Sequence, residues 1–212
     1  MSYKRAISIH QLYRTNIRSL EFTGEWLDAI GCPEPSGSWL IWGNSGNGKT
    51  RFALQLAKYL CTLGRKVAYD SLEEGVSLSL RNAIEDCNMQ EVSRRFVLLD
   101  KEPVPELTER LKMKKSPEVI IIDSIQYTGL TYADYKLLKD RFRTKLFILV
   151  SHAEGSHPAG RVARSIRFDA NVKIWIEGFQ AFAASRYGGG EPYMIWDEGA
   201  FKLTHPKTDN NE

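Results

Sequence analysis

Cysteine is scarce: Cys32, Cys61 and Cys87 make an odd number with no CxxC pair. That spacing supports neither a disulfide framework nor a zinc site, and a reducing cytoplasm is the expectation. Long apolar runs are absent too. Nothing in the sequence approaches the ~20 residues needed to span a bilayer, and the opening MSYKRAISIH lacks the apolar stretch of a signal peptide. The reading is therefore of a protein neither membrane-embedded nor secreted. There is no internal repeat and no low-complexity segment. Neither sign of charge dominates: 29 Lys and Arg against 26 Asp and Glu leave +3, a mild basic bias that permits a nucleic-acid partner without requiring one.

What is present is an ordinary globular composition, 42% hydrophobic and 26% charged, and 212 residues suit one α/β domain with a single core. Short β-rich apolar runs at Trp39–Trp42, Val67–Ser71, Phe96–Leu99, Val119–Ile122 and Leu146–Val150 alternate with helical patterns at Thr50–Thr62, Val76–Cys87, Pro105–Lys114 and Tyr132–Phe142. Continuously apolar strands separated by crossover-length helices predict a mostly parallel sheet with helices on both faces. Beyond Val150 the strand-like runs Asn171–Glu177, Phe179–Ser185 and Tyr193–Trp196 follow one another with glycines between them, which predicts an antiparallel extension at one edge. The expected organisation is an N-terminal extension or linker over 1–21, a core over 22–203 and a polar, fraying tail over 204–212.

The segment GNSGNGKT (Gly43, Asn44, Ser45, Gly46, Asn47, Gly48, Lys49, Thr50) satisfies GxxxxGK followed by Ser or Thr, and it sits between an apolar strand and a helical run. Glycines let backbone N–H groups turn inward as an anion nest, which empties into the positive N-terminus of a helix. This is a P-loop, expected to bind a nucleoside triphosphate. Lys49 is expected at the β- and γ-phosphates, Thr50 on Mg²⁺, and Arg51 beside the nucleotide. Asp123 closes a buried strand at its carboxyl end, where open α/β sheets bind ligands, and is the second candidate anchor for the metal. A carboxylate at the end of the second strand, Glu73 with Glu74 as rival, would face the γ-phosphate as base; either could instead serve the following helix N-terminus.

Phe22 to Leu60 resembles the opening of the RecA, RadA and DnaB group of ATPases, in which Thr-Gly and Leu-Asp precede the P-loop strand and a leucine-rich helix follows. YDSLEEG, Tyr69 to Gly75, is similar to the strand-end Ser-Leu-Glu of the helicase and RadA-like branches. The resemblance implies a RecA-like core with ATP and Mg²⁺ as its ligands, Glu73 as catalytic glutamate and His152 as sensor of the γ-phosphate. It also implies a mobile DNA-binding loop within Ala153 to Ala170 carrying Arg161, Arg164 and Arg167. AASRYGGG resembles a Lys-Asn-Arg segment that reaches the neighbouring subunit's γ-phosphate; Arg186 keeps the arginine, while Ala184 replaces the lysine. An arginine finger implies a ring or filament. No NKxD segment points to guanine, and adenine follows from the resemblance. As a whole the likeness is to minimal single-core RecA/RadA-like proteins of phages and mobile elements, implying DNA-stimulated ATP hydrolysis in recombination, repair or replication, with single-stranded DNA the favoured partner. Two other classes stay open, a small-molecule P-loop phosphotransferase and an ATP-dependent assembly or signalling module.

Overall fold

The residues that alternate inward along each apolar run build the sheet of a computed structural model, which describes residues 6–204. After a short helix α1 (Ile9–Arg14) and α2 (Glu25–Ile30) come β1 (Gly37–Gly43), α3 (Lys49–Thr62), β2 (Val67–Ser71), α4 (Leu78–Asp86), β3 (Phe96–Asp100) and α5 (Val104–Lys112). Then follow β4 (Val119–Asp123), α6 (Tyr132–Arg141), β5 (Leu146–Glu154), β6 (His157–Pro158), α7 (Gly160–Asp169), β7 (Val172–Glu177), β8 (Gln180–Ser185), β9 (Tyr193–Met194) and α8 (Asp197–Thr204). The strand order is β3-β2-β4-β5-β1-β7-β8-β9, with β6 turned back on β5. Pairing is parallel from β3 to β7 and antiparallel through β7, β8 and β9. This is the mostly parallel, helix-flanked sheet with an antiparallel C-terminal extension that the sequence predicts.

Side chains alternate across the strands, so β1 sends Trp39 and Ile41 to one apolar cluster and Leu40 and Trp42 to the other. The first cluster is roofed by α3 through Phe52, Leu56 and Leu60, with Trp26 and Ile30 of α2 beside it. The second is closed by Leu107 and Leu111 of α5, Tyr135 and Leu138 of α6, and Ala163 and Ile166 of α7. Both faces of the central strands are therefore covered, and β2 and β4 are buried along their whole lengths.

Three differences from the sequence reading have physical causes. The arginine segment, expected as a mobile loop, is helix α7: Ala163 and Ile166 bury at helical spacing with Val162 packed beside them. Its flanking glycines lie outside the helical body, Gly155 (φ +62) in the β5–β6 hairpin and Gly160 (φ +80) at the first helical residue. The N-terminal stretch, open between an edge strand and a docking piece, contains helix α1 with a Ser8–Gln11 capping box but no buried residue. Near the C-terminus, α8 occupies ground the sequence left unassigned, and the predicted tail from 205 onward lies outside the described residues. Among the described residues no helix is long and apolar enough to cross a membrane.

Candidate functional site

The loop from Gly43 to Lys49 leaves the carboxyl end of β1 and enters α3 through Gly48, whose φ of +97 lies in the left-handed region. Tight packing reinforces that choice. A Cβ on Gly43 would stand 2.4 Å from the Ile176 carbonyl oxygen of neighbouring β7, and one on Gly48 would stand 2.9 Å from the Phe179 ring. Asn47 ties the loop down: its Nδ2 donates to the Ser45 carbonyl at 3.1 Å, and its Oδ1 accepts the Gly178 N–H at 2.9 Å. The phosphate loop is thus clamped to the β7–β8 turn. Lys49 Nζ donates to the Asn44 carbonyl at 2.9 Å, and burial pushes its pKa below the ordinary lysine range, against the pull of Asp123 and Glu73.

Three parallel strands bring the acids to the same end. Asp123 closes β4, and its carbonyl accepts the N–H groups of Leu72 at 2.7 Å and Glu73 at 3.2 Å, which holds the end of β2 against it. Its carboxylate is almost fully buried. Tyr69 donates its hydroxyl to Asp123 Oδ2, and Thr50 Oγ1 lies 3.5 Å from the same oxygen. Burial raises the Asp123 pKa above the usual carboxylate range, and the Tyr69 donation opposes that rise. These hard oxygens fit magnesium, which favours one or two protein oxygens completed by waters and phosphate. Among the described residues no group of three or more His, Cys, Asp or Glu side chains gathers to hold a metal, so a cation here would rely on Thr50, Asp123 and phosphate oxygens.

A cavity of about 360 Å³ opens above the loop, lined by Lys49, Thr50, Glu73, Asp123, His152 and Trp196 among others. Glu73 faces His152, with Oε2 3.2 Å from Nε2, and Ser124 Oγ lies 3.3 Å from the same nitrogen. Glu74 lines the cavity but also accepts the Ser77 hydroxyl at 3.0 Å, where Ser77 caps α4. Of the two glutamates, Glu73 is the one placed beside His152. Arg51 pairs with Asp86 and lies 5.0 Å over the Trp196 ring, which meets Phe179 edge-on.

Sequence reasoning had no hold on several residues of this region. Tyr69 reads as a core aromatic of β2, and Phe179 and Trp196 reach the loop because the antiparallel edge folds back over it. Gln126, just past β4, donates to Ser151 Oγ at 2.7 Å and to the Ala159 carbonyl at 3.0 Å, joining β5 to the start of α7. Only its nearness to the Asp123 strand end could have marked it.

Four of the sequence candidates lie elsewhere. Arg186 follows Ser185, which pairs with Val172, and Val172 pairs with Trp39; the loop's Gly43 pairs with Ile176. Arg186 therefore sits at the opposite end of the sheet from the phosphate loop of its own chain. Arg161, Arg164 and Arg167 project from α7, where Arg164 pairs with Glu154 at 2.6 Å and Arg167 lies 3.0 Å from His157 Nδ1.

Neither a protein-family profile nor a curated protein sequence matches the chain. Solved structures do. The flagellar accessory protein FlaH from Methanocaldococcus jannaschii aligns over 85% of this chain and 96% of its own with a TM-score of 0.61 at 15% identity. The ATPase domain of a DnaB-like helicase aligns over 78% of this chain and 83% of its own with a TM-score of 0.56 at 16% identity. The strand order, the phosphate loop between β1 and α3, and these likenesses together give the chain the RecA-like P-loop ATPase fold.

Proposed function

We propose that the protein is a DNA-dependent ATPase that works as an assembly of its own copies. The observation that carries the hydrolytic part is the convergence of Lys49, Thr50, Asp123, Glu73 and His152 on one cavity above a glycine-cradled loop. In this reading the loop amides and Lys49 hold the β- and γ-phosphates of ATP, and Thr50 and Asp123 hold magnesium, which supplies neutralising charge at the phosphate oxygens. Glu73 orients a water for in-line attack and accepts its proton. His152, within reach of the Glu73 carboxylate, reports whether the γ-phosphate is in place. Arg51 with Trp196 offers a flat cation–aromatic surface to the base.

Arg186 is too far along the sheet to serve its own chain, and it acts only if a neighbouring copy presents it to the next site, as a ring or filament does. DNA, single-stranded by preference, is the partner favoured by the basic helix α7 and by the sequence resemblance, with recombination, repair or replication as the setting. A second reading, an ATP-driven assembly module, draws on the likeness to a flagellar accessory protein and on Ala184 standing where a finger lysine is expected. An ATPase assay with and without single-stranded DNA, over a series of protein concentrations, separates the two. Turnover that rises with DNA and faster than linearly with protein supports the proposal; turnover indifferent to DNA refutes the DNA part.

A further inference from the structure

The antiparallel extension leaves a sheet face that no role above uses. Register places Trp42, Trp175 and Phe182 side by side across β1, β7 and β8, with Lys173 opposite Ala184 one step along and Gln180 opposite Met194 on β9. The two indoles lie 5.8 Å apart. Trp42 is buried, Trp175 is half-buried, and Phe182 and Met194 are exposed, 39% and 37%. The other side of these strands is closed by α2 and α3, whereas on this side the apolar cluster ends at Trp175. Large rings open to solvent on a sheet are costly and mark a contact surface.

The rim has a sign. Arg167 lies 5.1 Å over the Trp42 ring, and His157, Lys173 and Arg167 share with the three rings a concavity of about 340 Å³. On α7, Arg161, Arg164 and the 82%-exposed Phe168 follow at i, i+3 and i+7, one stripe of the helix. The acids nearby are engaged: Glu154 pairs with Arg164, and Glu177 accepts the Trp175 indole N–H at 3.2 Å. A row of rings bordered by cations is the combination that takes unpaired bases on the rings and phosphates on the rim.

We propose that this face is the binding platform for single-stranded nucleic acid, with bases stacking on Trp175 and Phe182 and the backbone running along Lys173, Arg167 and Arg161. This deepens the DNA-dependent reading and moves the contact from a loop to a sheet. It also gives a short path to the nucleotide cavity. The Trp42 indole donates to the Ser156 carbonyl in the hairpin at 3.1 Å, and that hairpin continues directly from the His152 end of β5.

The test is fluorescence polarisation of the full chain with a labelled oligothymidylate and with the matching abasic oligomer, which has the same charge and no bases. The base-bearing strand is expected to bind at least about tenfold tighter, since each stacked ring contributes on that scale. Trp175→Ala with Phe182→Ala should abolish the difference, and the surface changes Phe182→Ala alone and Lys173→Glu, which leave the fold intact, should each weaken binding several-fold. Binding of a fluorescent ATP analogue checks that each variant is folded. Wild-type protein that binds the oligothymidylate no better than the abasic strand, or variants that keep the preference, overturns the platform while leaving DNA-dependent ATPase activity standing. Wild-type protein that binds neither oligomer overturns both. Variants that lose only self-association, with oligomer binding unchanged, make the face an interface between copies and overturn the platform.

Discussion

Removing one oxygen atom, in Tyr69→Phe, probes the electrostatics beneath the phosphate loop without depending on any assigned activity. Tyr69 is fully buried on β2, and burial beside Asp123 holds its pKa far above the ordinary tyrosine value, so its hydroxyl stays a donor. Asp123 accepts that donation and the longer 3.5 Å contact from Thr50, and its side chain has little access to water. Phenylalanine preserves the ring's packing and deletes the better donor. A hydrogen bond to a charged group contributes about 1.5–3 kcal/mol. At roughly 2–4 °C per kcal/mol for a chain of this size, the melting temperature should fall by roughly 3–12 °C near neutral pH or above.

The sign with pH follows from linkage. Burial raises the Asp123 pKa, so the folded state holds the proton more tightly than the unfolded state, and Asp123 erodes stability as pH rises from its unfolded value of 3.8 through its raised folded value. The Tyr69 donation limits that rise. Without it the folded pKa climbs further and the erosion deepens, so the gap between variant and parent should widen towards about pH 8 and narrow towards about pH 4. Differential scanning fluorimetry at several pH values, without nucleotide or magnesium, measures this directly. A loss equal at every pH would mean that the hydroxyl only fills space, and a loss under about 1 °C at pH 8 would refute the argument outright.

Four further outcomes can be checked alongside it. Lys49→Ala should lower affinity for a fluorescent ATP analogue by about 1.5–3 kcal/mol, tenfold or more, because it removes the charged donor of the cradle; unchanged binding would unseat the phosphate loop. Glu73→Gln should keep nucleotide binding and slow hydrolysis by about 10²–10⁴-fold, and parental turnover would remove Glu73 from its role. Gly43→Ala should cost about 1–3 kcal/mol in urea unfolding, since the new methyl meets the Ile176 carbonyl at 2.4 Å; an unshifted midpoint would show that the strands part freely there. Asp70 is buried with Oδ1 on the Glu102 N–H at 3.0 Å and Oδ2 without a hydrogen-bond partner, and burial pushes its pKa up to about 7. A raised carboxyl pKa makes stability fall as pH climbs from 3.8 to about 7, so Asp70→Asn should flatten that decline and be the more stable form above it; parallel pH curves would contradict this.

Local sequence alone determined the central strands, the helices between them and the phosphate loop. Apolar runs such as Val119–Ile122 suit a strand buried on both faces, and GNSGNGKT carries its own backbone geometry in its glycines. Asp123 and Glu73 were legible as strand ends, and parallel pairing of β2 with β4 carries both to one edge. Tertiary structure decided what depends on residues far apart in the chain. The arginine segment became helix α7 because Ala163 and Ile166 found a partner surface on the sheet, a fact no local composition contains. His152 meets Glu73, Tyr69 meets Asp123, and Arg51 meets Trp196 only once crossovers of dozens of residues have closed. The Trp42–Trp175–Phe182 row exists solely in the register of three strands, because period-two alternation says which residues share a face but not which strands lie side by side.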